Sequence, residues 1–184
     1  PVVPFLSRTG TVLEIKRSSP SKGAIAMGLD PERTAKLYAQ AGTQGISVLT
    51  ERNFFNGSLN DLQIAAKAAP GCSILRKDFL LEEEEIEVSY KFGADAVLLI
   101  ARILNEEKLL KMAALARKYG MTPFIEVRTE SDAEILRHAA LEGNVVAGVN
   151  SRDLANFHID PLIPAVFRRE LPCRAIFESG VEGP

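Results

Sequence analysis

Short apolar runs alternate with longer amphipathic stretches, and this alternation is the strongest constraint on what the chain can become. The runs are Thr11–Ile15, Ile46–Leu49, Ser73–Leu75, Ala96–Ile100, Thr122–Val127, Val145–Val149 and Arg174–Phe177. They are short, and most are rich in Val, Ile, Leu and Phe, which is the pattern of buried strands. Pro31–Gln40 follows Asp30 as N-cap, places Pro at the first helical position and ends near Gly42. Leu59–Ala68 follows Ser58 and stops before Pro70. Glu83–Phe92, Asn105–Tyr119 and Glu130–Ala140 stop at or near Gly93, Gly120 and Gly143, and Pro161–Glu170 stops before Pro172. The repeated β-α order predicts parallel strands joined by crossover helices. With no linker and no fixed-period repeat, one domain over residues 1–184 is expected, not a solenoid.

Composition narrows the function classes. A hydrophobic share of 46% over 184 residues suits a globular chain with a real core. The net charge of −2, with basic residues spread along the chain, gives no electrostatic reason to expect nucleic acid or a membrane as partner. Cys72 and Cys173 lie far apart, without metal or disulfide-framework spacing, and read as buried free thiols. There is no signal-peptide pattern and no bilayer-length apolar run, so a cytoplasmic location is the default expectation. The carboxylate run Glu82–Glu85 reads as a solvated helix start that suits the positive end of the helix dipole.

Most of the apolar runs end in polar residues at their C-terminal side. The first gives Glu14 and Lys16, the second Thr50 and Glu51, and the third Lys77 and Asp78. Glu126 closes the fifth, Asn150 the sixth, with Arg152 and Asp153 just beyond, and Glu178 and Ser179 the seventh. Charge in a buried strand is costly unless paired or used. In a (β/α)8 barrel the strand C-termini converge on the active site, whereas an open doubly wound sheet uses only its switch point. The barrel therefore fits better, with seven of its eight strands in this chain.

Glu14 and Lys16 share one side of a strand, so Lys16, Lys77 and Glu126 are expected to meet above the barrel core. Such a group can split its pKa values for acid–base work, or can simply close the barrel with salt bridges; the residues alone weigh these readings equally. The stretch Arg17-Ser18-Ser19-Pro20-Ser21-Lys22-Gly23 and the stretch Glu178-Ser179-Gly180 suit an anion, though such strings also occur in plain turns. No cluster has metal-ligand spacing.

At the level of motifs the chain resembles the indole-3-glycerol phosphate synthase family. The resemblance rests on Glu14-Ile15-Lys16-Arg17-Ser18-Ser19-Pro20-Ser21-Lys22-Gly23, Phe54-Phe55-Asn56-Gly57-Ser58 and Leu75-Arg76-Lys77-Asp78-Phe79. It continues in Ile125-Glu126-Val127, Gly148-Val149-Asn150-Ser151-Arg152-Asp153-Leu154 and Glu178-Ser179-Gly180, in order and over nearly the whole chain. The resemblance implies a TIM barrel that converts 1-(2-carboxyphenylamino)-1-deoxyribulose 5-phosphate to indole-3-glycerol phosphate, with loss of carbon dioxide and water and without cofactor or metal. It implies that Lys77 is the general acid, that Lys16 binds the anthranilate carboxylate, and that Glu126 is the base or the stabiliser of developing positive charge. Glu14 and Asn150 then orient the reacting groups, Glu178 is a further carboxylate of the site, and Ser19, Arg152, Ser179 and Gly180 surround the substrate's anionic ends. A lysine of this kind can supply the proton that the carbonyl needs if neighbours and burial lower its pKa toward neutral. For Phe79, Leu99 and Ile125 core packing is the expected role, with contact to the aryl ring as the alternative.

Measured against that family, the chain lacks the helix ahead of the first strand, beyond the stub Pro1–Arg8, and lacks strand 8 and helix 8. Both ends look cut. An open seam with two strand edges is expected to weaken stability and phosphate binding. The alternatives are a non-catalytic fragment or pseudoenzyme binding a phosphorylated sugar, against which the intact Lys16, Lys77 and Glu126 argue, and a related sugar-phosphate isomerase, against which the contexts of Lys77 and Glu126 argue. Oligomeric state is not readable from the sequence.

Overall fold

The structure, a computed structural model, describes residues 1–153, 158–167 and 171–179. Seven parallel strands form one sheet in sequential order: β1 (Val12–Ile15), β2 (Gly45–Leu49), β3 (Ser73–Lys77), β4 (Ala96–Ile100), β5 (Thr122–Val127), β6 (Val146–Asn150) and β7 (Ala175–Glu178). Helices α1 (Pro31–Gln40), α2 (Leu59–Ala68), α3 (Glu84–Lys91), α4 (Glu106–Lys118), α5 (Glu130–Leu141) and α6 (Ile163–Phe167) connect them. This is the β-α succession of a partial TIM barrel, with β1 and β7 at the two ends of the strand order. The predicted helix over 161–170 is shorter, Ile163–Phe167, and its residues 168–170 lie outside the described residues.

Local chemistry accounts for the element limits. Asp30 accepts the backbone N–H groups of Glu32 and Arg33 to start α1, Ser58 caps α2, Asn105 caps α4, and Thr129 with Asp132 forms a capping box on α5. Gly93 and Gly120, just past α3 and α4, take the positive φ that ends a helix cheaply. The acidic start of α3 has a use: Glu85 Oε2 accepts the N–H groups of Leu81 and Glu82 at 2.8 and 2.9 Å. Among the described residues no helix is long and apolar enough to cross a membrane.

Alternation along the strands splits the apolar residues into two layers. Ile46, Val48, Ile74, Val97, Leu99, Ile125, Ala147 and Val149 face the helices and form the larger core. Val12, Leu75, Ala96, Leu98, Ile100, Phe124 and Val146 face the barrel interior. The stub ahead of β1 closes the barrel floor. Phe5 is buried and meets Phe124 edge-on at 5.7 Å, Val3 N–H donates to Asp95 at 2.7 Å, and Arg174 donates to the Leu6 carbonyl at 2.5 Å.

Candidate active site

The inward phase of the strands carries polar side chains at the C-terminal end of the barrel. Strand register aligns Glu14 with Ser47, Leu49 with Lys77, Ile100 with Glu126, Glu126 with Gly148, and Asn150 with Glu178. Lys77, Glu126, Asn150 and Glu178 thus continue the inward-facing rows above the apolar plug of Leu98 and Phe124.

One hydrogen-bonded chain begins at Lys16, which is bonded to one oxygen of Glu14. The other oxygen of Glu14 faces Lys77 Nζ at 3.2 Å, and Lys77 Nζ donates to Glu178 Oε2 at 2.5 Å. A second chain begins at Glu126, whose Oε1 accepts from Asn150 Nδ2 at 3.1 Å. Asn150 Oδ1 accepts from Ser179 Oγ at 3.0 Å and from the Arg152 N–H at 2.9 Å. Ser179 sits at φ 66°, in the left-handed region that residues other than glycine seldom adopt. The two chains meet electrostatically, since Glu126 feels both Glu178 and Lys77.

Burial and charge push these groups apart. Burial raises the Glu126 pKa, Glu178 raises it further, and Lys77 and the Asn150 hydrogen bond pull it partly back, leaving it at about 7. Glu14 goes the other way: burial works against its charge, but Lys77 and then Lys16 outweigh it and hold the carboxyl below its ordinary value. One carboxylate is therefore anchored as an anion while its neighbour titrates near neutrality, the split expected of an acid–base site. Lys77 does not meet the condition of a pKa lowered toward neutral. Burial does disfavour its charge, but Glu178, Glu14 and Glu126 together more than compensate, so the Lys77 pKa is raised.

Other strand-end residues are spent on scaffolding. Thr50 Oγ1 donates to Asp78 at 2.6 Å, and buried Arg76 donates to Thr50, Ser89 and Asp78, bracketing the backbone on both sides of Lys77. Glu51 accepts the N–H groups of Asn53, Phe54 and Phe55. Arg17 pairs with Asp61 of α2, and Ser18 Oγ donates to the Phe54 carbonyl at 2.9 Å, so the loop after β1 is tied to the loop after β2.

Ser19 lies in a two-stranded ribbon, Ser18–Ser19 against Gly23–Ala24, and its hydroxyl accepts from the Lys22 N–H at 3.2 Å. Among the described residues its side-chain hydrogen bonds stay within that loop and do not join it to the chains around Lys77 and Glu126. Arg152 lines a small cavity with Glu126, Arg102 and Arg128. Gly180 lies outside the described residues. Leu99 and Ile125 belong to the helix-facing core and are fully buried there, so they do not face the mouth. Phe79 does stand at the mouth, its ring 6.3 Å from that of Phe55. Among the described residues no group of three His, Cys, Asp or Glu side chains is arranged to hold a metal ion.

Two contributors escaped the sequence reading. Any Cβ at Gly148 would come within 2.5 Å of both Glu178 Oε1 and the Phe124 ring, so the glycine makes room for the carboxylate above and the plug below. Its signal was available, because a glycine inside a strand often marks close approach. Arg128 reaches across from the end of β5 to the turn after β6, and nothing in its sequence context announces that.

The model of the family described as indole-3-glycerol phosphate synthase matches residues 5–183. The chain belongs to the indole-3-glycerol phosphate synthase family. Among its relatives, the indole-3-glycerol phosphate synthase of Dehalococcoides mccartyi (strain CBDB1) is 40% identical over 176 residues, covering 93% of this chain and 66% of that protein. The synthase of Mycobacterium leprae (strain Br4923) is 41% identical over 177 residues, covering 95% of this chain and 64% of that protein. The chain thus spans just under two thirds of the length of these relatives. Solved structures share the fold at low identity. A 3-hexulose-6-phosphate synthase from Salmonella typhimurium superposes with TM-score 0.66 at 12% identity, covering 94% of this chain and 80% of that one. A truncated 3-deoxy-D-arabino-heptulosonate 7-phosphate synthase from Thermotoga maritima gives TM-score 0.65 at 15% identity, covering 96% and 68%. At such identities these structures speak for the barrel fold alone.

Proposed function

We propose that residues 1–184 act as one barrel domain of an indole-3-glycerol phosphate synthase, closing the ring of 1-(2-carboxyphenylamino)-1-deoxyribulose 5-phosphate with loss of carbon dioxide and water. The observation that carries this reading is the Lys77 ammonium, held between Glu14 and Glu178 and facing a buried Glu126 that titrates near neutrality. Together with family membership, that arrangement supports an acid and a base poised over one carbonyl.

In this reading the aryl carbon attacks the ketone, and Lys77 gives its proton to the oxygen as the new carbon–carbon bond forms. A raised lysine pKa does not block that step, because the alkoxide developing on the oxygen is a stronger base than the amine left behind. Glu14 and Glu178 keep Lys77 charged and aimed. Glu126, with Asn150 fixing its orientation, stabilises the positive charge that builds at the ring nitrogen and takes up a proton later in the sequence. Lys16 binds the anthranilate carboxylate, and loss of carbon dioxide restores the aromatic ring. Ser19, Arg152, Ser179 and Gly180 surround the substrate's anionic ends. Phe79, beside Phe55, offers the aryl ring an apolar face. The partner is a phosphorylated small molecule, with neither cofactor nor metal required and no role for nucleic acid or membrane; a cytoplasmic setting belongs to the same proposal.

The test is a fluorescence assay for indole-3-glycerol phosphate on this chain and on its Lys77→Ala and Glu126→Ala variants. Turnover that falls by about 10²-fold or more in each variant supports the assignment. Turnover that survives both substitutions removes these residues from the chemistry. A folded chain that binds the substrate without converting it moves the assignment to a non-catalytic phosphosugar-binding module.

A further inference from the structure

The amide of Asn150 has only one useful orientation. Its oxygen is engaged by the Arg152 N–H and the Ser179 hydroxyl, so its nitrogen is the end that meets Glu126. That arrangement depends on the turn after β6, which supplies Asn150 and the Arg152 N–H alike. The side chain that grips this turn comes from the neighbouring strand end. Arg128 Nη1 donates to the Ser151 carbonyl at 2.7 Å and to the Asn150 carbonyl at 3.2 Å, while Nε lies 3.5 Å from Asp153 Oδ2. Arg102, just beyond β4, stands 3.7 Å from the same Asp153 oxygen. The Arg128 side chain is only 16% exposed, so solvent does little to weaken this grip.

We propose that Arg128 is a positioning residue that sets the basicity of Glu126 by holding the turn Asn150–Asp153 in place. Arg128 lies two residues beyond Glu126; its backbone N–H donates to Asp132, but its side-chain hydrogen bonds go to the turn, so the influence of the side chain passes through the Asn150 amide. Loss of the Asn150 hydrogen bond leaves the Glu126 carboxylate with one donor fewer and favours its protonated form. The groups facing Glu126 are Glu178 from β7, Lys77 from β3, Asn150 from β6 and Asp132 from the start of α5. Arg102 and Arg152 border the same small cavity. Lysine at position 128 keeps the positive charge but lacks the planar fork that serves two carbonyls and a carboxylate at once. The inference rests on the synthase reading only for what Glu126 does during turnover.

The test is a carboxyl-carbon NMR titration of the chain labelled at its glutamate side chains, with the Glu126 signal assigned from a Glu126→Gln variant. Arg128→Lys is expected to raise the Glu126 midpoint by about half to one pH unit, and Asn150→Ala to raise it similarly. The double variant is expected to shift no further than either single change, because both act through one hydrogen bond. A wild-type midpoint in Arg128→Lys, or shifts that add in the double variant, overturns the proposal. If Arg128→Lys fails to fold, Asp153→Asn, which loosens Arg128 without removing it, must raise the midpoint; an unmoved midpoint there also overturns it. The titration needs no turnover, so a silent wild-type chain in the fluorescence assay would sink the synthase reading while leaving this coupling to be judged on its own result.

Discussion

Lys77 Nζ and Glu178 Oε2 lie 2.5 Å apart although the two residues stand 101 positions apart in the chain. The pair spans the barrel mouth from β3 to β7, and Glu14 holds the same ammonium from β1 at 3.2 Å. A lysine gripped by two carboxylates is fully charged and restricted in direction. Glu178→Gln removes one of those anions and the largest stabilising influence on the Lys77 charge. Turnover is expected to fall by about 10²-fold, in line with loss of an organising group around an acid. Because Glu178 also raises the Glu126 pKa, the acid limb of the pH–rate profile is expected to move to lower pH. An unchanged limb would show that the two carboxylates do not interact.

Glu126 also makes stability depend on pH. Its ordinary value of 4.5 is raised to about 7 in the folded chain, so between those pH values the folded state binds more proton than the unfolded state. Its contribution is therefore favourable at low pH and is lost as pH rises through about 7. Glu14 acts in the opposite sense, because its lowered pKa contributes stability that is lost only as pH falls below its ordinary range. Thermal unfolding from pH 5 to 8 is expected to show a steeper decline for the wild type than for Glu126→Gln. Parallel curves would contradict the raised value.

Gly148→Ala tests the spacing between the apolar plug and the carboxylate above it. The added methyl meets Phe124 and Glu178 together, and neither can retreat freely inside the barrel. A loss of about 1–3 kcal/mol is expected from urea unfolding, with turnover reduced because Glu178 is displaced from Lys77. Full stability with full turnover would mean that the β6 backbone yields instead.

The Arg17–Asp61 pair binds the loop after β1 to α2, and both side chains are largely buried. Asp61→Ala leaves Arg17 with only the carbonyls of Asn56 and Leu29. Removing one partner of such a pair is expected to cost on the order of 3 kcal/mol. Limited proteolysis should then cut between residues 17 and 30 before it cuts elsewhere. Equal cleavage rates in variant and wild type would show that the ribbon holds the loop without the pair.

Much of the architecture was legible because local rules decide it. Among the described residues the seven strands of the barrel and the six helices lie within a few residues of their sequence signals, since caps, glycines and prolines mark the ends and apolar runs mark the strands. Strand β3 runs on through Arg76 and Lys77, beyond the apolar run ending at Leu75, because Arg76 is neutralised by Asp78 and bonded to Thr50 and Ser89. Charge ended the apolar pattern there without ending the strand. The ribbon at Ser18–Ser19 and Gly23–Ala24 went unread because a two-residue pairing has no periodicity to detect.

The element order and the residue types at the mouth follow from the sequence alone, because each depends on spacing within a few residues. The sequence also placed Lys16, Lys77, Glu126, Asn150 and Glu178 at strand ends that a barrel brings together. How those charges pair is set by the folded barrel. Lysine beside one carboxylate or among several cannot be told apart along the chain, yet the difference sets the direction of its pKa, which here is upward. Likewise only the folded chain separates Phe79 at the mouth from Leu99 and Ile125 in the outer core, and brings Arg128 to the turn that carries Asn150. Pairing energies depend on distances across the barrel, and those distances exist only once the sheet has curled.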